Sequence, residues 1–334
     1  MNRVQADILS VIEKKELFVN LQGKRLFVTG ATGLIGSMLI KSVLAANEQY
    51  GLGITVTGQI RSLEKAKTVF GEQADLISFT EEYDAPCDYI IHTVSPTTSK
   101  YFIEHPVETI KASVGSTMKV LEAAVSNHAS VVYLSSMEQY GVPYKPGEVM
   151  TEEKIGIIDH LNIRSSYSES KRLCECLCVS YASEYGVDVK IARLAQTFGA
   201  GISLNDNRMP MQFARAVVEG NDIVLHTEGK SISNFVYLTD AITGILTILE
   251  KGESGQAYNI CNDKETRSVR EIAELVAGEV AGRKVRVHIK LKENMGYAPD
   301  TAMYLESEKL RNLGWSAEVG LREAYMRLAA YLSE

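Results

Sequence analysis

From residue 24 onward the chain alternates short apolar runs with longer amphipathic stretches, and this alternation restricts the fold more than any other feature. Arg25 to Thr29, Ile54 to Ile60, Tyr89 to Thr93, Val131 to Leu134 and Val189 to Leu194 read as strands. Leu34 to Ala46, Leu63 to Phe70, Val107 to Asn127 and Tyr167 to Tyr185 carry apolar residues at helical spacing. Strand and helix in strict alternation argue an α/β fold, a doubly wound parallel sheet with helices on both faces. The remainder is a shorter mixture, with Met211 to Glu219 and Val269 to Val280 as helices and Lys284 to Leu291 as a strand, expected to form a smaller unit. The expected boundaries are residues 1–195 with 232–262 for the sheet domain and 196–231 with 263–334 for the smaller one.

At the other end, Val4, Ile8, Val11 and Ile12 recur at helical spacing ahead of Leu17 and Val19, which predicts an extra amphipathic helix packed on the surface or on a partner subunit. The 334 residues, 45% hydrophobic and 23% charged, suffice for a full core. A net charge of −7 gives no reason to expect nucleic acid or an anionic membrane as partner. No run approaches the roughly 18 apolar residues of a membrane span, and residues 1–7 lack the pattern of a signal peptide, so a cytoplasmic location is expected. Five scattered cysteines suggest reduced thiols. On a helix Cys176 points away from Cys174 and Cys178, so that run reads as packing and no metal is expected.

Two motifs carry chemistry. Gly30-Ala31-Thr32-Gly33-Leu34-Ile35-Gly36 lies between the first strand and the first long helix, where glycine permits a tight turn and free helix amides can meet phosphates. Far downstream, Tyr167 and Lys171 stand four apart, on one face of a helix. A nearby ammonium favours the phenolate and is expected to lower the tyrosine pKa, making it an acid or base for a sugar or alcohol hydroxyl. Ser135-Ser136 ends a strand at the carboxyl edge of the sheet, where ligands of open α/β sheets bind. Together they indicate an oxidoreductase.

With these motifs the chain resembles the extended short-chain dehydrogenases/reductases, the group that modifies nucleotide-activated sugars. Asp88-Tyr89-Ile90-Ile91-His92, Ser135 to Gly141, Phe235 to Ala241 and Lys309 to Trp315 match that family in order. The resemblance implies a Rossmann-type dinucleotide domain with a C-terminal substrate cap and a homodimer paired through the helices at 107–127 and 167–185. It implies cofactor contacts from Gly30, Thr32, Gly33, Leu34, Ile35, Gly36, Thr93, Asp75, Leu76, Tyr167 and Lys171. Ser136, Glu138, Tyr167 and Lys171 would be catalytic, and Ser95, Gln196, Arg208 and Ser233 would line the substrate.

Within the family, Glu138 matches a glutamate that acts as acid or base in dehydratases and decarboxylases. Met137 stands where 4,6-dehydratases carry an aspartate, and a thioether donates no proton. His92 to Pro96 through Tyr101, Pro106 to Lys111, Arg164 to Tyr167 and Lys171-Arg172 look most like the UDP-glucuronate decarboxylase branch. Gln196 and Ser113 replace asparagines, and Ser233 replaces an arginine that holds the substrate diphosphate, a bidentate contact serine cannot reproduce. Arg208 is a candidate for that load. After the second strand, Gln59-Ile60-Arg61-Ser62 lacks the acid expected beside an NAD ribose, and Arg61 suits a 2′-phosphate, so the expected cofactor is NAD(P), with NADP(H) slightly favoured. The leading expectation is transient C4 oxidation of a nucleotide sugar. The alternatives are an NADPH-dependent reductase of a nucleotide-linked keto-sugar and a catalytically silent sensor.

Overall fold

The computed structural model describes residues 1–95, 99–292 and 300–334. Pro96, part of the segment likened to the decarboxylases, lies outside them. Seven parallel strands form the central sheet: β1 Arg25–Thr29, β2 Thr55–Gln59, β3 Ser78–Thr80, β4 Tyr89–His92, β5 Ser130–Ser136, β6 Val189–Leu194 and β7 Ala257–Ile260. Their spatial order is β7-β6-β5-β4-β1-β2-β3. The chain starts at the middle and winds first one way, then the other, so β1 and β4 adjoin at the point of reversal, with Val28 opposite Ile91.

Strand residues alternate between two cores, which is why the strands read as unbroken apolar runs. Leu26, Val28, Ile91, Val132, Leu134 and Ala192 face one side, packed with Leu39, Val43 and Ile245. Phe27, Ile90, Val131, Tyr133 and Ile191 face the other, against Val120, Leu121, Cys174 and Cys178. The helices covering the first side are α1 Arg3–Ile12, α2 Leu34–Tyr50 and Leu238–Lys251; Pro106–Asn127 and Ser165–Tyr185 cover the second. Cys176 is exposed, and among the described residues no cluster of three or more metal-ligating side chains forms. No described helix is long and apolar enough to cross a membrane.

A third core unites Phe198, Met211, Phe213, Ile223, Ile272, Val276, Leu321 and Tyr325 in the smaller unit. The strand Phe235–Tyr237 straddles the junction, with Val236 in the sheet core and Phe235 and Tyr237 in the cap core. Met303, Leu305, Leu310 and Trp315 pack into the sheet core although they fall in the stretch expected to belong to the cap. The helix expected over 269–280 is α-helical only at Val269–Leu275 and widens to a π turn at Val276–Val280, and the strand expected over 284–291 contracts to Val287–Ile289.

The leading helix forms where its period places it, and its apolar face joins the sheet core. A capping box between Asn2 and Gln5 starts α1. Val11 and Ile12 are then buried against α2 and the helix Leu238–Lys251. Asp7, fully buried, accepts hydrogen bonds from Tyr237 Oη at 2.6 Å and from Arg327 at 3.3 Å and pairs with Arg3 at 2.8 Å. A buried carboxylate needs such partners, and they come from both units. Ile12→Ala is therefore expected to destabilise the chain by about 2–4 kcal/mol in a urea titration, the cost of a core cavity. A loss under about 0.5 kcal/mol would mean that α1 is dispensable to the core.

Candidate active site

The carboxyl edge of the sheet gathers most of the predicted residues. Gly30 leaves β1 with φ +64°, and a Cβ there would lie 2.7 Å from Thr93 Oγ1. At Gly36 a Cβ would lie 2.5 Å from the Gly30 carbonyl oxygen. Both positions thus require glycine. Gly33, extended and without a side-chain cap, opens the 17-residue helix α2. The first amides of α2, at Leu34, Ile35 and Gly36, have no partner of their own within the helix and face the turn that Thr32 and Gly33 form. A helix N-terminus at a glycine-walled turn fits the pyrophosphate of a dinucleotide. Thr93, following β4, donates to the Thr29 carbonyl at 2.6 Å and so forms the floor of the turn.

At the end of β2, Gln59 takes the position beside the turn, accepting from Gly30 N at 3.3 Å. Arg61 follows, exposed and without an ion pair among the described residues, just ahead of the Ser62 cap of the helix Leu63–Phe70. Asp75 and Leu76 are not brought to this site. They lie in the turn Gly71–Leu76, before β3, and so at the amino edge of a parallel sheet. The residues that leave β3 at the carboxyl edge are Glu81 and Glu82. The assignment of Asp75 and Leu76 to the adenine is corrected on that ground.

Tyr167 and Lys171 lie on the first turns of the helix Ser165–Tyr185, and both are buried. Lys171 donates to the Leu134 carbonyl at 2.7 Å, and its Nζ is 5.8 Å from the centre of the Tyr167 ring. Burial lowers its pKa to about 8. The Tyr167 phenol moves the other way from the expected direction. Burial raises its pKa, and the Glu138 carboxylate adds to the rise. The hydroxyls of Ser136 and Ser95 and the charge of Arg208 pull it back only in part. In the ligand-free chain desolvation outweighs the cationic neighbours. Phe102 stacks on the Tyr167 ring at 4.3 Å and fixes its plane.

Ser136, the last residue of β5, accepts from the Glu138 amide at 3.3 Å and caps the turn Met137–Tyr140. That cap aims the half-buried Glu138 toward Tyr167. Burial raises the Glu138 pKa, and the Arg164 guanidinium opposes the shift. Ser95 Oγ is buried and makes no hydrogen bond of good geometry among the described residues. It faces the phenol and is available to a ligand.

The remaining predicted residues sit where the cap meets the sheet. Gln196 is exposed on a short strand whose amide bonds the Asn234 carbonyl at 3.3 Å. Its neighbour Ser233 places Oγ 3.8 Å from Met137 Sδ. Arg208 holds Asp206 at 2.9 Å and keeps its charge near Tyr167.

Two residues beneath the site were not anticipated. Arg193 on β6 pairs with Glu175 at 2.7 Å, and Glu175 also accepts from Ser135 Oγ at 2.5 Å. The signal was present: arginine inside the apolar run Val189–Leu194 demands a buried partner.

Residues 26–261 match the model of the NAD dependent epimerase/dehydratase family. UDP-glucuronic acid decarboxylase 6 of Arabidopsis thaliana is 30% identical over 302 residues, 90% of this chain and 86% of that protein. UDP-glucuronic acid decarboxylase 1 of Danio rerio is 28% identical, over 93% of this chain and 73% of the relative. Among solved structures, the epimerase Mth375 of Methanothermobacter thermautotrophicus superposes with a TM-score of 0.80 at 20% identity, covering 95% of this chain and 94% of its own, a likeness of fold. The chain belongs to the NAD dependent epimerase/dehydratase family and is an extended short-chain dehydrogenase/reductase enzyme.

Proposed function

We propose that this enzyme acts on a nucleotide-activated sugar by transient oxidation at C4, and that Glu138 then works at the neighbouring carbon of a uronic acid, which loses carbon dioxide. The observation that carries this reading is the Ser136-capped turn, which sets an enclosed carboxyl beside the Tyr167 phenol. The sequence similarity to UDP-glucuronic acid decarboxylases supports the same branch. A dinucleotide, when bound, supplies the hydride acceptor for the oxidation and the donor for the return.

The chain's own groups handle position and protons. Ser136 and Ser95 orient the substrate hydroxyl toward Tyr167, which takes its proton. Because burial opposes the phenolate, Lys171 and Arg208 must supply the compensating positive charge. Oxidation leaves a ketone β to the carboxylate, so the electrons of the breaking carbon–carbon bond delocalise into that ketone. Glu138, its pKa raised by burial, is suited to hold the proton that the resulting carbanion needs. Arg208, Gln196 and Ser233 would face the nucleotide-linked part of the substrate. A reductase reading keeps one specific support, the exposed Arg61 after β2, which suits the 2′-phosphate of NADPH.

In the assembly we assign, two copies pair through the helices Pro106–Asn127 and Ser165–Tyr185, whose outer faces expose Val107, Ile110, Met118, Leu173 and Val179. Light scattering at micromolar concentration should then give twice the chain mass, and a monomer would refute the pairing.

Arg61→Ala should weaken NADPH at least about ten-fold more than NADH in a binding titration, the scale of one charge-assisted phosphate contact. Equal losses would remove Arg61 from the cofactor site. Glu138→Gln should still permit the first hydride transfer, because Tyr167, Lys171 and Ser136 are intact, and then stall with reduced cofactor and a 4-keto sugar. Turnover of NADPH within a few fold of the parent, with no stalled keto species, would instead establish the reductase reading.

A further inference from the structure

His92 closes β4, is 1% exposed, and has no part in the chemistry described above. Both of its ring nitrogens are engaged: Nδ1 lies 2.7 Å from Thr29 Oγ1, and Nε2 lies 3.2 Å from Thr117 Oγ1 and 3.4 Å from Ser116 Oγ. The proton positions follow from the neighbours. Thr117 Oγ1 donates its hydrogen to the Ser113 carbonyl at 2.8 Å, and Ser116 Oγ donates to the same carbonyl at 3.2 Å. Both hydroxyls are left to accept from the ring, so Nε2 carries the proton and Nδ1 is the acceptor. The Thr29 hydroxyl must then donate to Nδ1, which leaves its lone pairs to accept the Thr93 amide at 3.2 Å. Thr93 in turn donates from Oγ1 to the Thr29 carbonyl at 2.6 Å, which holds Oγ1 against Gly30, where a Cβ would lie 2.7 Å from it.

We propose that His92, protonated on Nε2, is a positioning residue for the dinucleotide: it orients the Thr29 hydroxyl, which holds Thr93 as the floor of the Gly30 turn. The same ring links that floor to the helices Pro106–Asn127 and Ser165–Tyr185, since Thr117 Oγ1 also lies 3.3 Å from Cys174 Sγ. A neutral ring is essential to the pattern, because a proton on Nδ1 would leave Thr29 with two donors facing it and no acceptor for its own hydrogen. Burial, with the Lys171 charge nearby, holds the imidazole pKa down to about 3, so the ring stays neutral at ordinary pH.

Two substitutions separate the nitrogens. In His92→Asn the side-chain oxygen can replace Nδ1 as acceptor, whereas His92→Gln keeps a donor near Nε2 and loses that acceptor. Titration of the intact protein with NADH and NADPH, without any sugar substrate, should show His92→Gln weakening both by about 5- to 50-fold, the scale of one buried group left unpaired. His92→Asn should stay within about three-fold, although both variants lose one bond and melt at similarly lowered temperatures. Thr29→Val, an isostere that removes only the hydroxyl, should match His92→Gln, and the double variant should bind no more weakly than either single. Equal losses for Asn and Gln that track their melting temperatures, or unchanged affinity in Thr29→Val, would reduce His92 to a core residue. Because no sugar is present, neither outcome bears on the reaction proposed above.

Discussion

The Arg193–Glu175 ion pair ties the helix Ser165–Tyr185 to the sheet. Arg193 points from β6 to the helix Ser165–Tyr185, where its guanidinium grips Glu175 through Nε and Nη2. Its other terminal nitrogen donates to Tyr140 Oη at 2.9 Å and to the Glu152 carbonyl at 2.8 Å. Tyr140 Oη passes the chain of bonds to Asn259 on β7, and Ser135 on β5 donates to Glu175. A buried pair of this kind adds little net stability over an apolar replacement, but removing one member strands a charge in the core. Its contribution here is therefore positional. Glu175 is one helical turn beyond Lys171, so fixing it to β5 and β6 fixes the height of Tyr167 above Ser136.

On that platform the electrostatics of the site follow from burial. Lys171 and Glu138 shift toward their neutral forms, and so does Tyr167. Groups buried this deeply respond strongly to any charge that enters the site, because the low-dielectric surroundings screen little. The sequence spacing of Tyr167 and Lys171 correctly places them on one face of a helix, yet the direction of the phenol shift depends on depth, which spacing does not encode.

What the sequence disclosed and what it hid divide along the same line. The strands at 25–29, 55–59, 89–92, 130–136 and 189–194 were legible, because burial on two faces leaves an unbroken hydrophobic signature, and so were the helices Leu34–Tyr50, Pro106–Asn127 and Ser165–Tyr185, whereas the helices Leu238–Lys251 and Leu321–Leu332 and the strand Ala257–Ile260 were not read. The three-residue strand Ser78–Thr80 was not, and its absence displaced the expected adenine contact to Asp75 and Leu76, on the wrong side of the strand. The helix α1 was visible as a period, but its burial was not, since only the fold brings Tyr237 and Arg327 to Asp7. Ser136, Glu138, Tyr167 and Lys171 came together as the motif order implied, whereas the polar supports beneath them, His92, Glu175 and Arg193, are joined by contacts 18 or more residues apart.

Glu138 distinguishes the two chemistries this site can support, so the most direct test is of the products. The protein, given substoichiometric dinucleotide and a panel of nucleotide sugars, would be followed by mass spectrometry and by absorbance of the reduced cofactor. A nucleotide-linked uronic acid should lose the mass of carbon dioxide over many turnovers with no net change in reduced cofactor. Uronic acids left intact, while a nucleotide-linked keto-sugar consumes one NADPH per turnover, would contradict the proposed decarboxylation.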